Sequence, residues 1–193
     1  GIVDAFEKAG LVIFGPSQDA ARLETDKSWA AGFLKRHAIP HPFSETFTSR
    51  QLARAYIKRK GARHVVIKAS GLAQGKGVIV PEHEKEALDA LDALMHKKVF
   101  GSAGESVVIQ ERLRGKEVSL QAITDGKIIV PLLPCQDYKR QGDGDTGPNT
   151  GSMGAYAPVP LVSSKDVQML EKTILQPTID GMKKEGYPFK GIL

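Results

Sequence analysis

The sequence predicts an α+β fold, and three observations carry that prediction. Two β-branched runs flank a glycine-rich stretch at residues 64–80, helical-period segments stand on either side, and Asp125-Gly126 separates two further strand-like runs. Glycine and proline punctuate the chain into units without any internal repeat or low-complexity linker.

In chain order, Leu11-Val12-Ile13-Phe14 ends at Gly15-Pro16 and reads as a short buried strand followed by a turn. A helix is expected over residues 26–37, with Trp29, Phe33 and Leu34 on one face and Pro40 beyond its end. Thr48-Ser49-Arg50-Gln51 offers a capping box for the next helix, which presents Leu52, Ala55 and Tyr56, carries Lys58-Arg59-Lys60 in its last turn and stops at Gly61. Residues 64–69 and 77–80 then read as the strands of a hairpin. Residues 82–96 return to helical spacing, with Leu88, Leu91, Leu94 and Met95 facing a core.

Residues 107–110 and 117–124 are the next predicted strands, and Asp125-Gly126 is a strong two-residue turn into residues 127–133. Residues 136–154 are expected to form a long glycine-rich loop. A helix starting near Ser164 meets Pro177, and Gly191-Ile192-Leu193 has the look of a strand beginning. A chain ending inside a strand is expected to be a fragment.

Composition narrows the class. With 193 residues, 41% of them hydrophobic and 25% charged, the chain is of ordinary globular make-up and long enough to bury a core. No apolar run approaches the roughly 20 residues that span a bilayer, and Gly1-Ile2-Val3-Asp4 lacks a signal peptide's basic, apolar start. The one cysteine, Cys135, has no partner for a disulfide or a zinc site, so a reducing cytosol is the expected compartment and an inert thiol the expected state. The five histidines (37, 41, 64, 83 and 96) form no His-Glu-x-x-His or Cys/His pattern. A net charge of +5 is spread among acids with no basic, aromatic-interleaved stripe, which argues against nucleic acid and suits a bound polyphosphate.

The most informative stretch runs from Val65 to Val80. Three glycines, Gly71, Gly75 and Gly77, allow close backbone approach to a ligand, and Lys68 and Lys76 supply positive charge for phosphate oxygens. It departs from the Walker A loop, because only three residues separate Gly71 from Gly75 and Gly77 stands where Ser or Thr belongs. It departs from the dinucleotide fingerprint too, since Gly75-x-Gly77 leads into Val80 and a strand. A flexible hairpin with solubilising lysines is the plain alternative. Against that, a lysine inside an apolar strand needs a partner for its charge, and an anion supplies one.

The segment Val66-Ile67-Lys68-Ala69-Ser70-Gly71-Leu72-Ala73-Gln74-Gly75-Lys76-Gly77-Val78 resembles the glycine-rich loop of the glycinamide ribonucleotide synthetase family, the phosphoribosylamine-glycine ligases of the ATP-grasp superfamily. Further resemblance follows in order: Phe14-Gly15-Pro16-Ser17 with Leu23-Glu24-Thr25-Asp26-Lys27, then Ile109-Gln110-Glu111-Arg112-Leu113 with Gly115-Lys116-Glu117. The most specific segment is Asp145-Thr146-Gly147-Pro148-Asn149-Thr150-Gly151-Ser152-Met153-Gly154-Ala155-Tyr156.

What the resemblance implies is a partial ATP-grasp fold in three stretches. Residues 1–43 begin the central region and carry Lys27, residues 44–116 form the lid lobe with the hairpin, and residues 117–193 form an incomplete C-terminal lobe with a substrate loop. It also implies roles. Lys27 and Lys68 reach the ATP phosphates, while Ser70, Gly71, Gly75, Lys76 and Gly77 line the loop above them. Backbone groups at Glu111 and Leu113 hold the adenine edge, and Glu117 takes the ribose hydroxyls. Asp145, Pro148, Asn149, Thr150, Gly151, Met153 and Gly154 face glycine and 5-phosphoribosylamine. No catalytic residue is assigned.

The magnesium (Mg2+) of the reaction, with manganese (Mn2+) as the alternative ion, is expected on ligands downstream of Leu193, so the 193 residues alone are expected not to ligate. Fusion of the parent to other purine-pathway domains is a further expectation. Each role has a plainer alternative: Lys27 as a solvated charge, Glu111 as a strand end, Glu117 paired with a surface lysine, residues 145–154 as a mobile Ω-loop. Asp137, Lys139 and Arg140 can fix a carboxylate or phosphate, or simply form a charged turn. A non-catalytic nucleotide-binding module and another ATP-grasp ligase or carboxylase are the competing functions.

Overall fold

The computed structural model describes residues 1–73, 77–144 and 146–193, and only the backbone at 148 and 149. Its helices are α1 (Ile2–Lys8), α2 (Arg22–Thr25), α3 (Lys27–Arg36), α4 (Arg50–Lys60), α5 (Glu84–Leu91), α6 (Ser164–Leu170) and α7 (Gln176–Lys184). Its strands are β1 (Ser44–Phe47), β2 (Val65–Ala69), β3 (Val78–Ile79), β4 (Val107–Glu111), β5 (Ala122–Thr124), β6 (Ile129–Pro131), β7 (Gln136–Asp137), β8 (Arg140–Gly142), β9 (Thr146–Asn149), β10 (Ala155–Tyr156) and β11 (Gly191–Ile192). They fall into two compact units, one of Arg22–Lys35 with His41–Arg114, the other of Gly1–Ala21, Arg36–Pro40 and Gly115–Leu193.

The first unit is built on an antiparallel sheet of order β1-β4-β2-β3. Because side chains alternate along a strand, β2 turns Val65, Ile67 and Ala69 to one face and Val66 and Lys68 to the other. The first face meets Val107 and Ile109 of β4, Ala53, Tyr56 and Ile57 of α4, and Ala87, Ala90 and Leu91 of α5 in one hydrophobic core. Full burial of a side chain such as Ile67 contributes about 1.5–3 kcal/mol. The predicted hairpin is therefore present, with Lys68 opposite Val78.

Helix α4 is capped by Ser49, whose hydroxyl accepts the Leu52 N–H, so the cap sits one residue later than a box starting at Thr48. Leu52 and Ala55 consequently face solvent, and Ala53, Tyr56 and Ile57 form the buried stripe. The helix stops at Gly61 with φ 86, a backbone angle that favours glycine, after the basic turn Lys58-Arg59-Lys60 that complements the helix dipole. On α5 the small Ala87 and Ala90 hold the core face, while Leu88 is only half-buried. Past Leu91 the helix widens into a π-helical turn, Asp92–His96, that buries Leu94.

In the second unit β11, β5 and β6 form an antiparallel sheet. The strand expected over 117–124 pairs as a strand only at Ala122–Thr124, with a single bridge between Ser119 and Cys135 before it. Residues 11–14 are not a strand. Helix α1 ends at Gly10 (φ 70), where Leu11 N–H bonds Phe6 O at 2.9 Å and Gly10 N–H bonds Glu7 O at 3.0 Å. Leu11 is thus consumed in a Schellman cap, and Val12 is fully exposed. Helix α6 opens on a reciprocal capping box between Ser163 and Asp166 and runs through a π-helical turn, Glu171–Leu175, straight into α7. Pro177 does not end the helix; it stands directly after the π-helical turn, where the hydrogen-bond ladder is already interrupted.

Two side chains of this unit, Arg36 and His37, converge on one carboxylate. Arg36 Nε and Nη2 each donate to Glu185 at 2.9 Å, and His37 Nε2 lies 2.8 Å from Glu185 Oε1. The bidentate Arg36 bond, with His37 behind it, holds the Glu185 carboxyl below its ordinary value of 4.5. A folded-state pKa depressed in this way stabilises above the unfolded value and is lost as pH falls through the folded one. Glu185→Gln is therefore expected to lower the melting temperature at pH 7, with the gap to the parent shrinking progressively as pH falls below 4.5, read by calorimetric melts across pH. An equal gap at pH 7 and pH 3.5 would show that the charge is irrelevant there.

Candidate functional site

Helix α3 lies over the second face of the four-stranded sheet. Spacing i, i+3, i+4, i+7 puts Lys27, Ala30, Ala31 and Leu34 on one side of it. Ser44, Lys68, Val108 and Gln110 supply the facing surface; Ser44 pairs with Gln110 across β1 and β4, and Lys68 with Val108 across β2 and β4. These residues line one pocket, closed at a third side by His41 and Pro42. Two ammonium groups that stand 41 positions apart in sequence thereby share a cleft whose walls are otherwise largely apolar. Such a cleft suits a polyanion, because low-dielectric walls leave lysine charge poorly screened.

The start of α3 is tied closely to the end of β2. Lys27 N–H donates to Ser70 O at 2.9 Å, and Lys27 Nζ to Gly71 O at 3.2 Å. Ser28 N–H donates to Ser70 Oγ at 3.1 Å, and Trp29 N–H to Asp26 Oδ1 at 3.0 Å. Asp26 is the N-cap of the helix, since its carbonyl accepts from Ala30 N–H at 2.9 Å. Ser70, buried to 7% exposure, sets its hydroxyl 3.1 Å from Asp26 Oδ1 and 2.7 Å from Ser28 Oγ.

The glycines of the hairpin have a role the sequence did not reveal. A Cβ on Gly71 would lie 2.8 Å from Ala103 Cβ, and one on Gly77 would lie 2.6 Å from Ala73 Cβ and 3.1 Å from Ala69 Cβ. Neither adopts the left-handed backbone. Both are glycine because the hairpin packs on its own chain, and Gly71 N–H bonds Ala103 O at 3.3 Å. Gly75 and Lys76 lie outside the described residues.

Glu111 ends β4 opposite Val65. Its N–H donates to Phe43 O at 2.8 Å and its carboxylate accepts from Phe43 N–H at 2.7 Å, next to the His41, Pro42 and Ser44 side of the pocket. Leu113, two residues on, is 66% exposed. Glu117 belongs to the other unit, where its exposed carboxylate lies 3.8 Å from Lys139 Nζ.

Residues 136–156 of that second unit are a ribbon of nested strand pairs in place of the predicted loop. Outer β7 and β10 pair Asp137 with Ala155 and Gln136 with Tyr156; inner β8 and β9 pair Arg140 with Asn149 and Gly142 with Thr146. Thr150 closes the inner pair, its N–H and hydroxyl donating to Lys139 O at 2.6 and 2.9 Å. Arg140 Nη1 donates to Gly147 O at 2.6 Å, Lys139 lies 3.9 Å from Asp137, and the Tyr138 and Tyr156 rings stack. Gly151, Met153 and Gly154 are exposed, with Met153 N–H donating to Tyr138 O and Gly154 O accepting from Tyr138 N–H. Asp145 lies outside the described residues, as do the side chains of Pro148 and Asn149.

Sequence reasoning missed Asp26, Ser28, His41 and Gln110. Asp26 was findable from the cap spacing to Trp29, and Gln110 from alternation along β4. His41 joins the pocket only through the tertiary fold. Among the described residues no three His, Cys, Asp or Glu side chains converge as a metal site, and no helix is long and apolar enough to cross a membrane.

A four-stranded antiparallel sheet with a glycine hairpin, backed by two helices and facing paired lysines on its open side, is the ATP-grasp arrangement. Residues 25–193 match the phosphoribosylglycinamide synthetase ATP-grasp (A) domain, and the chain belongs to that family. It is 50% identical over 193 residues to a bifunctional purine biosynthetic protein of Pichia angusta, covering all of this chain and 24% of that one. Against a phosphoribosylamine–glycine ligase of Yersinia pestis the identity is 47%, over all of this chain and 45% of the other. A crystal structure of phosphoribosylamine–glycine ligase from Thermotoga maritima superposes with a TM-score of 0.85 at 37% identity, over 93% of this chain and 45% of that chain. The chain thus spans less than half the length of these relatives.

Proposed function

We propose that this chain is the nucleotide-binding core of a ligase that joins glycine to 5-phosphoribosylamine while ATP becomes ADP and phosphate. The observation that carries the reading is the shared pocket of Lys27 and Lys68, inside a stretch that matches the synthetase family from residue 25 onward. The two ammonium groups neutralise triphosphate charge, Gly71 N–H ties the hairpin to Ala103, and Gly77 lets its arms close on Ala69 and Ala73. Backbone groups at Glu111 and Leu113 take the adenine edge. Since the Glu111 N–H is bonded to Phe43, its carbonyl is the group assigned to the base.

In the reaction a glycine carboxylate oxygen bonds the γ-phosphorus as the bond to the β,γ-bridging oxygen breaks, releasing ADP. The amine of phosphoribosylamine then attacks the acyl carbon of glycyl phosphate, phosphate leaves, and the nitrogen gives up a proton. Lysine charge favours the first step by stabilising negative charge that gathers on the leaving oxygens. Water must be kept from the acyl phosphate, a task assigned to the hairpin. Residues 145–154 are assigned to glycine and phosphoribosylamine, and Glu117 to the ribose hydroxyls. Among the described residues no carboxylate cluster that would hold magnesium is present.

The relatives that carry further purine-pathway activities on one chain support a fused parent for this segment too. The test has two arms. Isothermal calorimetry of the 193-residue chain should register saturable heat with magnesium-ATP, and a coupled assay on the full-length parent should release ADP only when glycine and phosphoribosylamine are both present. ADP release by the parent that is indifferent to glycine would reject the assignment in favour of another ATP-grasp chemistry.

A further inference from the structure

We infer that Ser70 and Asp26 form a latch that positions Lys27 for nucleotide, a role no motif assigns to either; the inference rests on reading the Lys27–Lys68 pocket as the triphosphate site. Four N–H groups at a helix start have no partner within the helix. In α3 each of them is taken by a protein acceptor: Asp26 N–H by Arg22 O, Lys27 N–H by Ser70 O, Ser28 N–H by Ser70 Oγ and Trp29 N–H by the Asp26 carboxylate, so that the helix's own bonds begin with Ala30 N–H to Asp26 O.

The helix start has no donors left to offer a phosphate, so the positive charge that α3 brings to the pocket is the Lys27 ammonium. And two residues, Ser70 and Asp26, decide where that ammonium lies. Residues two apart on an extended strand share a face, so Lys68 and Ser70 point the same way from β2 and its continuation. The strand therefore carries one ammonium at 68, the latch at 70, and at 71 the carbonyl that receives Lys27 Nζ. Ser70 N–H is itself fixed to Ser106 O at 3.1 Å, which ties the latch to the start of β4. Without the Ser70 hydroxyl, the Ser28 N–H loses its acceptor and the first turn of α3 is freed to shift against Lys68. A shift of that kind separates the two ammonium groups without removing either.

Ser70 is thus a positioning residue that acts through Lys27, and this is separable from a purely structural role. Magnesium-ATP affinity is to be measured by calorimetry for the parent chain, Ser70→Ala, Lys27→Met and the double variant, with a melting curve for each. Ser70→Ala is expected to weaken binding about tenfold in the parent and less than about twofold in the Lys27→Met background. Its effect on the melting temperature should be the same in both backgrounds. Asp26→Ala reproduces the loss if Ser70→Ala folds poorly, and Asp26→Asn, which keeps an oxygen for Trp29 N–H and for the Ser70 hydroxyl, rescues it. Equal weakening by Ser70→Ala with and without Lys27, no weakening in the parent, or an Asp26→Asn loss as large as that of Asp26→Ala would each overturn the latch. A parent chain that binds no magnesium-ATP sinks the pocket reading itself, a result distinct from binding without coupling.

Discussion

Lys68→Ala is expected to weaken magnesium-ATP binding by about 10- to 150-fold, since a hydrogen bond to a charged group contributes roughly 1.5–3 kcal/mol and each 1.4 kcal/mol is tenfold in affinity. Lys68 stands mid-strand on β2 between buried Ile67 and Ala69, so the backbone that carries it is held on both sides by the core of its unit. Its loss removes charge from the pocket without removing a wall. Lys68→Met separates these contributions: it keeps most of the aliphatic stem and should lose nearly as much affinity as alanine, while its melting temperature stays at or above that of the parent. Calorimetric titration of the three proteins at two salt concentrations decides the matter. The parent should weaken with added salt more steeply than either variant, because one of the two lysines of the pocket is gone in them. Affinities within twofold of one another would remove Lys68 from the phosphate site.

The sequence displayed the elements whose signals are local. Alternation along Val65-Val66-Ile67-Lys68-Ala69 named both the strand and the odd lysine on its open face, Gly61 announced the end of α4, and Asp125-Gly126 marked a turn between β5 and β6, although Thr124 pairs with Ile129 and the connection is residues 125–128 in place of the expected two-residue turn. What it hid depends on partners far along the chain. The apolar run at 11–14 has the composition of a strand, but a strand needs a ladder, and Leu11 is spent capping α1. Residues 136–156 carry too many glycines and polar groups to look like strands, yet each arm supplies the other with hydrogen bonds. At the site, charge was legible and position was not. Lys27 and Lys68 were identifiable as lysines, whereas the pins that bring them together, Ser70 on Asp26 and Ser28, join segments some 40 residues apart. Gly71 and Gly77 read in the sequence as room for a ligand, and the fold adds a second use, since a Cβ on them would meet Ala103, Ala73 and Ala69.

Leu91→Ala should produce the largest loss of stability among conservative changes in the first unit. Leu91 is fully buried at the last turn of α5, in the core that lies behind β2, and no solvent can fill the space its side chain vacates. Truncations of this kind cost about 2–5 kcal/mol, the larger figures where the surroundings cannot collapse. The cluster it belongs to is rich in alanine, with Ala53, Ala69, Ala87 and Ala90 among its members, short side chains with no spare length to reach into a void. The upper half of the range is therefore expected, lowering the melting temperature by roughly 6–20 °C for a chain of this size. The same cavity lies on the reverse side of the strand that holds Lys68. Nucleotide should accordingly stabilise the variant and the parent by the same increment at saturating magnesium-ATP if the sheet keeps its shape, because ligand stabilisation depends only on affinity for the folded state. A smaller increment in the variant would show that the core packing of α5 sets the geometry of the lysine pocket through β2; a melting temperature within 2 °C of the parent would mean that the helix collapses onto the sheet and that Leu91 is not the keystone of this core.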